Sequence, residues 1–282
     1  MFFRRISQFK KNRLAVPGVY IALALIIISI FSPLPAPYDT IEPQLENKFQ
    51  PGFWAGNWEH PLGTDNLGRD LLSRIIYGGS ISLKVGYMVI LITVLFGTIL
   101  GVVSAYFGGI IDIIIMRIVV VFPAFPPLLL ALAIAASLGT GLENAMLAIA
   151  LVYIPGMARI VRGSVLTVKT LSYVEASRAL AGGNSWIITR HILPNILPSA
   201  LVYLTLLLAD AILYTAALGF LVVGIEPSTP ERGAMLSQGR DFLLMGQWWV
   251  TVFPGIMIVL AVFSFSIIGD GLREAFDTKL WR

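Results

Sequence analysis

The stretch VGYMVILITVLFGTILGVVSAYFGGII, residues 85–111, decides the fold class of this chain. It holds no charged side chain, and as a helix rising about 1.5 Å per residue it can cross the ~30 Å hydrocarbon core of a bilayer. Since an ionised side chain at the bilayer centre costs about 2.5 to 3.5 kcal/mol, such a window is typical of a transmembrane helix. The charge-free windows 118–142 and 242–269 lead to the same prediction.

The composition of the 282 residues agrees with a helical membrane protein. Hydrophobic residues make up 57% and charged residues only 13%, against roughly 25% charged residues in an average soluble domain. These values exclude a soluble globule, a disordered chain, collagen and a coiled coil. There is no cysteine, and the two histidines, His60 and His191, are distant in sequence. We therefore expect no disulfide, no metal site and no cofactor in this chain.

Six transmembrane helices are predicted, at residues 16–33, 84–107, 113–137, 142–161, 197–223 and 247–269. The first follows a basic leader and resembles a signal peptide. However, Pro33, Pro35 and Pro37 crowd the place of a cleavage site, which favours an uncleaved helix. The fourth is short, and we expect Arg159 and Arg162 near its end to extend to a membrane interface.

Lysine and arginine residues set the predicted orientation. A cytoplasmic N-terminus puts most of them on the cytoplasmic side, including Arg178 and Arg190 in the long loop 163–196, as the positive-inside rule requires. The sequence thus predicts an all-α, polytopic protein of the cell (plasma or inner) membrane with both termini in the cytoplasm. We therefore attribute the net charge of +4 to basic residues that are segregated by membrane side, and not to a single basic patch. We expect the lipid bilayer as a partner, and no nucleic acid.

The chain lacks the motifs that would let it drive transport or catalysis alone. No GxxxxGK[ST] nucleotide loop, GxSxG elbow or HExxH pair occurs, so we expect no enzyme activity. Asp210 is the one acidic residue in the interior of a predicted span. An ion-coupled carrier, the alternative of a different class, would need a relay of several such charges. The sequence indicates a pathway that another component must power.

Asp210 and several prolines are the candidates for lining this pathway. Asp210 is expected to meet a cationic group of the solute or an arginine of a neighbouring helix, or else to make a structural hydrogen bond at a helix seam. Pro126 and Pro127, together with Pro123, are expected to kink the third span and to free backbone carbonyls. Further prolines are expected to kink the fourth and sixth spans.

The long cytoplasmic loop is predicted to form a helix, a turn and a second helix. Good helix formers fill residues 173–181, and Gly182 and Gly183 end this helix. A second short helix is expected at residues 186–191, ending at Pro194. Such an element on the cytoplasmic face suits docking to another protein; the alternative is a solvated surface hairpin.

The outer loop before the second predicted span contains the motif LGTDNLGRD, residues 62–70. Asp65 is expected to cap an amphipathic helix that lies on the membrane before that span. The simple alternative is that the segment is only an interfacial anchor. The candidate residues of this motif are Gly63, Thr64, Asp65, Gly68, Arg69 and Asp70.

Several of these segments together resemble one protein family. The run EASRALAG at 175–182, continued by RHILPN at 190–195, resembles the EAA loop of permease subunits of binding-protein-dependent ABC importers. Here Ser177 replaces the usual alanine and Ala181 the usual glycine. The outer motif and PSTPERGAML at 227–236 are similar to the peptide and nickel branch of this family, in its C-type (dipeptide and oligopeptide permease C-like) subunits.

The resemblance implies a type I ABC importer transmembrane fold and a set of partners. These are a homologous second permease subunit (B-type), two ATP-binding subunits that hold ATP and magnesium, and an extracytoplasmic solute-binding protein. The ATPases are implied to dock on the loop, which moves as a lever. Glu175 is expected to fix the helix start or meet a basic residue of the ATPase. Gly182 and Gly183 are expected to form the turn, and residues 192–194 to anchor the loop to the fifth span. The coupling residues so implied are Glu175, Ala176, Ser177, Arg178, Gly182, Gly183, Ile192, Leu193 and Pro194.

The resemblance also implies import of di- or oligopeptides, with oligosaccharides, glutathione or nickel chelates as alternative solutes of the same machinery. We expect four segments along the chain. They are a leader with the first helix and the start of the outer loop at 1–56, an interfacial amphipathic segment at 57–82, a type 1 transmembrane domain at 83–270 that includes the loop, and a cytoplasmic tail at 271–282.

Overall fold

A computed structural model describes residues 15–32, 36–221 and 228–276. Within these ranges the chain is helical, and the one β bridge joins Thr64 to Asp70. The basic leader, Pro33, Pro35, the last two residues of the fifth predicted span and the end of the tail lie outside the described residues. The helices are α1 (Ala15–Ile30), α2 (Leu71–Phe107), α3 (Gly109–Val121), α4 (Pro127–Leu138), α5 (Leu142–Val168), α6 (Ser172–Ala179), α7 (Asn184–Phe220), α8 (Arg232–Gly239) and α9 (Trp249–Phe276).

The all-α class is confirmed for the part of the chain that the structure describes. Four of its helices, α2, α5, α7 and α9, are long and apolar enough to cross a membrane. The pair α3 and α4 would make a fifth crossing if it forms one broken span, because its two helices are bent by 99°. Helix α1 is apolar but has 16 residues in the described part.

Helix α2 packs along α5 through small residues. Gly97 and Gly101 are spaced as a GxxxG pair, which lets two backbones approach closely in a membrane. A Cβ on Gly97 would lie 2.6 Å from the Cβ of Met157, and one on Gly101 would lie 2.6 Å from the carbonyl oxygen of Ala158. Helix α7 joins the same core, where Leu207 is buried together with residues of α2 and α5. Helix α9 covers α7 and contacts α1.

The third predicted span, 113–137, is broken. Helix α3 ends in a 3-10 turn at Phe122–Ala124, the chain is extended at Phe125, and α4 starts at Pro127. Three prolines in this short stretch remove backbone donors and disfavour helical geometry in the residues before them. The expected kink is therefore a break. By contrast, Pro155 lies inside α5 and Pro254 inside α9, and both helices continue past them.

The turn between α2 and α3 is fixed to α5 by an ion pair. Gly108 and Gly109 both have positive φ and reverse the chain between the two helices. Asp112 then accepts two hydrogen bonds from the guanidinium of Arg162, at 2.7 and 2.6 Å. The Arg162 side chain is thus paired within the protein, and its position at a membrane interface stays a prediction.

Helix α2 also corrects the prediction of a separate membrane-lying helix capped by Asp65. Its N-cap is Asp70, whose carboxylate accepts a hydrogen bond from the backbone N–H of Ser73 at 2.7 Å. From there the helix runs without interruption to Phe107. Gly78, which would weaken an isolated helix, faces the carbonyl oxygen of Pro230, where a Cβ would lie only 2.7 Å away. Tertiary packing thus compensates for the low helix propensity.

Asp65 instead organises what we call the polar cap, residues 38–70 folded over the start of α2. Its carboxylate accepts hydrogen bonds from the backbone N–H groups of Leu67 and Arg69, at 2.8 and 3.0 Å, and from the Arg69 side chain at 2.8 Å. His60 contacts Asp70 at 2.9 Å. The indole N–H of Trp249 donates to the carbonyl of Thr64 at 3.1 Å. The cap therefore joins the first turns of α2 and α9.

Helix α8 is inserted between α2 and α7 through a buried Glu231–Arg232 pair. The Glu231 carboxylate accepts a hydrogen bond from the backbone N–H of Ala234 at 2.9 Å and so caps α8. Arg232 donates to the carbonyl of Ile75 in α2 at 3.3 Å. Burial raises the pKa of the Glu231 carboxyl to about 7, although backbone N–H groups and Arg232 oppose the shift. Glutamate is thus largely protonated here below neutral pH.

A first prediction concerns Gly68 in the polar cap. Gly68 has a φ of 76°, and an added Cβ would overlap the carbonyl oxygen of Gln44. Gly56→Ala is the matched control, because Gly56 has a φ of 85° but no heavy atom near the Cβ position. We expect Gly56→Ala to cost about 1 kcal/mol from the left-handed backbone and Gly68→Ala to cost about 1–3 kcal/mol more from steric overlap. Thermal unfolding in detergent measures both; equal losses would contradict the assigned close contact.

A second prediction concerns the pH dependence of stability. Since the pKa of Glu231 is raised above its ordinary value of 4.5 to about 7, its contribution to stability is complete below pH 4.5 and is lost as the pH rises through 7. The melting temperature should therefore decrease from pH 5 to pH 8 more steeply in the wild type than in Glu231→Gln. Glu46→Gln, an exposed glutamate of the polar cap, should keep the wild-type slope. A Glu231→Gln slope equal to that of wild type would show that the carboxyl does not titrate in this range.

Candidate functional site

The loop between α5 and α7 forms the predicted helix, turn and second helix. Helix α6 matches the first helix within two residues. The second helix is not short and does not end at Pro194, which corrects the prediction. It begins at Asn184, passes through a π-helical turn at Ile188–Ile192 and continues as the 37-residue helix α7. Pro194 is tolerated because it lies in the first turn after the π-helical segment, where its missing N–H is not needed.

The turn after α6 is a Schellman motif. The N–H of Gly182 donates to the carbonyl of Ser177 at 2.9 Å, and the N–H of Ala181 donates to that of Arg178 at 3.0 Å. The left-handed residue is Ala181, with a φ of 60°, and Gly182, the next residue, takes part in the turn through its N–H. Gly182 is needed for space, because a Cβ there would lie 2.7 Å from the Ser177 carbonyl oxygen. Gly183 has open space around it.

The loop is attached to the bundle by apolar and polar contacts. Val174, Ile187 and Ile192 are fully buried in a cluster with the last turns of α2 and α5. The hydroxyl of Tyr106 in α2 donates to the side-chain oxygen of Asn184 at 2.8 Å. The guanidinium of Arg178 lies 5.9 Å from the centre of the Tyr106 ring, within the range of a cation–π contact. The loop therefore moves together with the helix ends that hold it.

The outward surface of the loop combines charged and apolar side chains. Glu175, Ala176, Arg178, Gly183 and Pro194 are exposed, whereas Ser177, Gly182 and Leu193 are half-buried and Ile192 is buried. At its tip Leu180 is 84% exposed and Trp186 57% exposed. Sequence reasoning did not single out Leu180 and Trp186. The sequence did contain a signal for them, because α6 and the start of α7 have more apolar residues than the three, Val174, Ile187 and Ile192, that attach the loop to the bundle.

Asp210 lies on α7 beside a group of tyrosines. Its carboxylate interacts with the hydroxyl of Tyr153 in α5, and the ring of Tyr214 lies 5.6 Å from that of Tyr153, centre to centre. The hydroxyl of Tyr203 donates to the Tyr153 carbonyl at 3.3 Å. Sequence reasoning selected Asp210 but missed these tyrosines, because they belong to two helices whose register is set only by packing.

Pro126 and Pro127 are exposed at the break between α3 and α4. Asp210 lies on α7 and interacts with Tyr153 of α5, whereas the two prolines lie at the start of α4. The pathway candidates named from the sequence thus form two separate features, an exposed proline break and a carboxylate with its tyrosines.

The six candidate residues of the outer motif are all buried. They include Asp65, Arg69 and Asp70, which make the hydrogen bonds of the polar cap. Arg69 also donates to the side chain of Gln238 in α8 at 3.2 Å. The motif is therefore a structural element of the cap, and its role as an interfacial anchor stays a prediction. In the described ranges no group of three His, Cys, Asp or Glu residues could hold a metal ion.

Comparisons with known proteins agree with this architecture. The model for the family "binding-protein-dependent transport system inner membrane component" matches residues 97–282, and that for the "N-terminal TM domain of oligopeptide transport permease C" matches residues 2–51. An inward-facing structure of the MetNI methionine ABC transporter aligns with a TM-score of 0.55 at 23% identity, covering 73% of this chain and 96% of that one. This likeness shows the fold.

Curated relatives extend over nearly the whole chain. The dipeptide transport system permease protein DppC of Haemophilus influenzae is 42% identical and covers 96% of this chain and 92% of its own length. The protein of the same name from Alkalihalophilus pseudofirmus is 43% identical, covering 97% and 88%. The glutathione transport system permease protein GsiD of Pectobacterium atrosepticum is 40% identical, covering 99% and 90%.

The family model covers well over half of the chain, and the two DppC relatives, at 42% and 43% identity, cover almost all of it. The four long apolar helices, and the loop between α5 and α7 that buried residues attach to the bundle, are features expected of such a membrane transport component. The chain belongs to the family of binding-protein-dependent transport system inner membrane components, as a multi-pass permease subunit of an ABC importer whose ATPase activity lies in separate subunits.

Proposed function

We propose that this permease subunit imports di- or oligopeptides that an extracytoplasmic binding protein delivers. The observation that supports this solute class most directly is the end-to-end similarity to dipeptide permeases at above 40% identity. A second candidate solute is glutathione, itself a small peptide, because a glutathione permease is 40% identical over 280 residues. Oligosaccharides and nickel chelates stay alternative solutes of the same machinery.

The proposed topology has six spans with both termini in the cytoplasm. The spans are α1, α2, the broken pair α3 and α4, α5, α7 and α9. The segregation of basic residues supports it, since Arg178 and Arg190 then lie in the cytoplasmic coupling loop. Helix α2 begins at Leu71, directly after the polar cap, and crosses the proposed boundary at residue 83. The proposed segment 57–82 therefore comprises the end of the polar cap and the first turns of α2, and the proposed transmembrane domain, 83–270, begins within this helix.

The coupling loop, residues 163–196, is proposed as the docking site for one of two ATP-binding subunits, which hold ATP and magnesium. Leu180 and Trp186 offer a compact apolar contact, and Glu175 and Arg178 beside them offer charges for orientation. Because the loop is attached to the ends of α2 and α5, movement of the ATPases is passed to the spans. A homologous second permease subunit completes the pathway.

A third prediction tests the coupling role in the assembly reconstituted in proteoliposomes. Gly182→Pro removes the N–H that bonds Ser177 and disfavours the left-handed backbone of Ala181, and Glu175→Lys reverses the charge beside the apolar tip. Both variants should insert and assemble, yet uptake per ATP hydrolysed should fall at least about tenfold. Gly183→Ala, which adds a methyl group in open space, should retain coupling. Wild-type ratios of uptake to hydrolysis in both test variants would exclude this docking surface.

A fourth prediction tests the solute class. The cognate binding protein, purified from a peptide mixture, should retain di- or oligopeptides, and the reconstituted assembly should accumulate a labelled dipeptide only when ATP and the binding protein are present. Unlabelled dipeptide should compete, whereas an oligosaccharide should not. Accumulation of glutathione in preference to dipeptides would favour the second candidate, and accumulation without nucleotide would exclude an ATP-driven importer.

A further inference from the structure

Asp210 is an unpaired carboxylate on an otherwise apolar surface. It is exposed in this chain, and no lysine, arginine or histidine of the described residues forms an ion pair with it. It lies in the interior of α7, one of the helices long and apolar enough to span a membrane. Because an ionisable group facing lipid is costly, Asp210 must face a cavity, water or another chain.

The position of Asp210 on α7 shows which face of the helix it occupies. Leu213, Ala217 and Phe220 follow it at helical spacing of three or four residues and are exposed or half-exposed. The rest of the helix circumference is buried, with Leu207, Ala211 and Leu218 in one core cluster and Ala209 and Ile212 in another. Asp210 therefore belongs to a stripe of α7 that this chain leaves uncovered.

The tyrosines beside Asp210 define what chemistry the site suits. The Tyr153 hydroxyl interacts with the carboxylate, and the Tyr214 ring is close to the Tyr153 ring at 5.6 Å between centres. Such a site attracts a small organic cation twice, through the negative charge and through the faces of the aromatic rings. A sugar hydroxyl or a solute carboxylate gains neither contact. The chemistry complementary to this site is a primary ammonium group.

We infer that Asp210, Tyr153 and Tyr214 form a subsite in the pathway that receives the free amino terminus of a passing peptide. This inference rests on the proposed function, which supplies a solute with an ammonium group. The competing occupant is an arginine or lysine of the second permease, which would hold the carboxylate paired in the resting assembly. The two occupants predict different results when Asp210 is replaced. A peptide subsite predicts loss of the preference for a free amino terminus, and a partner cation predicts loss of the second permease from the assembly.

The test uses the full membrane assembly in detergent without binding protein, so that selection by the binding protein does not contribute. Two photoreactive dipeptides are compared, one with a free amino terminus and its N-acetylated form. The wild type should crosslink the free-amine peptide about tenfold more than the acetylated one, and Asp210→Asn should remove this preference by lowering only the free-amine signal. Asp210→Glu should keep part of the preference, and Tyr153→Phe should reduce it less than Asp210→Asn.

The matched control is Glu143→Gln, the same acid-to-amide change on an exposed residue at the start of α5, which should leave the preference unchanged. A preference that survives Asp210→Asn overturns the subsite while ATP-driven dipeptide uptake by the wild type still supports the proposed function. Loss of the second permease on purification of Asp210→Asn identifies a partner cation and overturns the subsite as well. If the wild type takes up no dipeptide, the proposed function fails, and the subsite fails with it.

Discussion

The burial of Val174, Ile187 and Ile192 against the ends of α2 and α5 is the contact on which the attachment of the loop to the bundle depends. A loop that projects from a bundle transmits displacement only if it cannot bend at its base. Three fully buried aliphatic side chains, each worth about 1.5–3 kcal/mol of transfer free energy, hold the base closed. The Lys169 ammonium adds a hydrogen bond to the Ala105 carbonyl at the end of α2, at 2.6 Å. These contacts suit the proposed coupling role, in which force applied at the tip would be passed to the helices.

Two long helices connect this loop to the opposite end of the molecule. Helices α2 and α7 have 37 residues each, which corresponds to about 55 Å at 1.5 Å per residue. At the far end α2 starts in the polar cap, and α7 ends where Gly219 is in close contact with Glu231. Each helix thus has a fixed end far from the loop. In the proposed coupling role, a displacement of the loop would tilt whole helices, which suits a pathway that opens on alternate sides.

The sequence was sufficient for features that depend on local composition. Apolar windows located the long helices, and Gly182 with its neighbours located the turn, because both follow from transfer free energy and backbone geometry. The sequence was insufficient where the partner of a residue is distant along the chain. Asp65 looked like a helix cap, yet it binds Arg69, and that arginine bonds to Gln238, 169 residues away. Periodicity contains no information on such a contact, so a buried network resembled an exposed amphipathic segment.

The helix break at α3 and α4 and the left-handed alanine illustrate a related limit. Prolines at 123, 126 and 127 predicted a distortion, but whether a span kinks or breaks depends on what covers the freed backbone groups, and this chain exposes them. Ala181 occupies a conformation that costs about 1–2 kcal/mol relative to a right-handed one. The Schellman hydrogen bonds to Ser177 and Arg178 and the buried anchors on either side hold it there.

The faces that this chain leaves uncovered follow one physical rule. An element that has its polar or irregular backbone satisfied within the chain can face lipid, whereas one that does not requires water or protein. The proline break at 122–126 and the carboxylate of Asp210 both belong to the second kind, and both are exposed here. Each therefore needs either a water-filled space or a second subunit against it. A bundle with such features on its own surface therefore suits the proposed pairing with a second permease subunit.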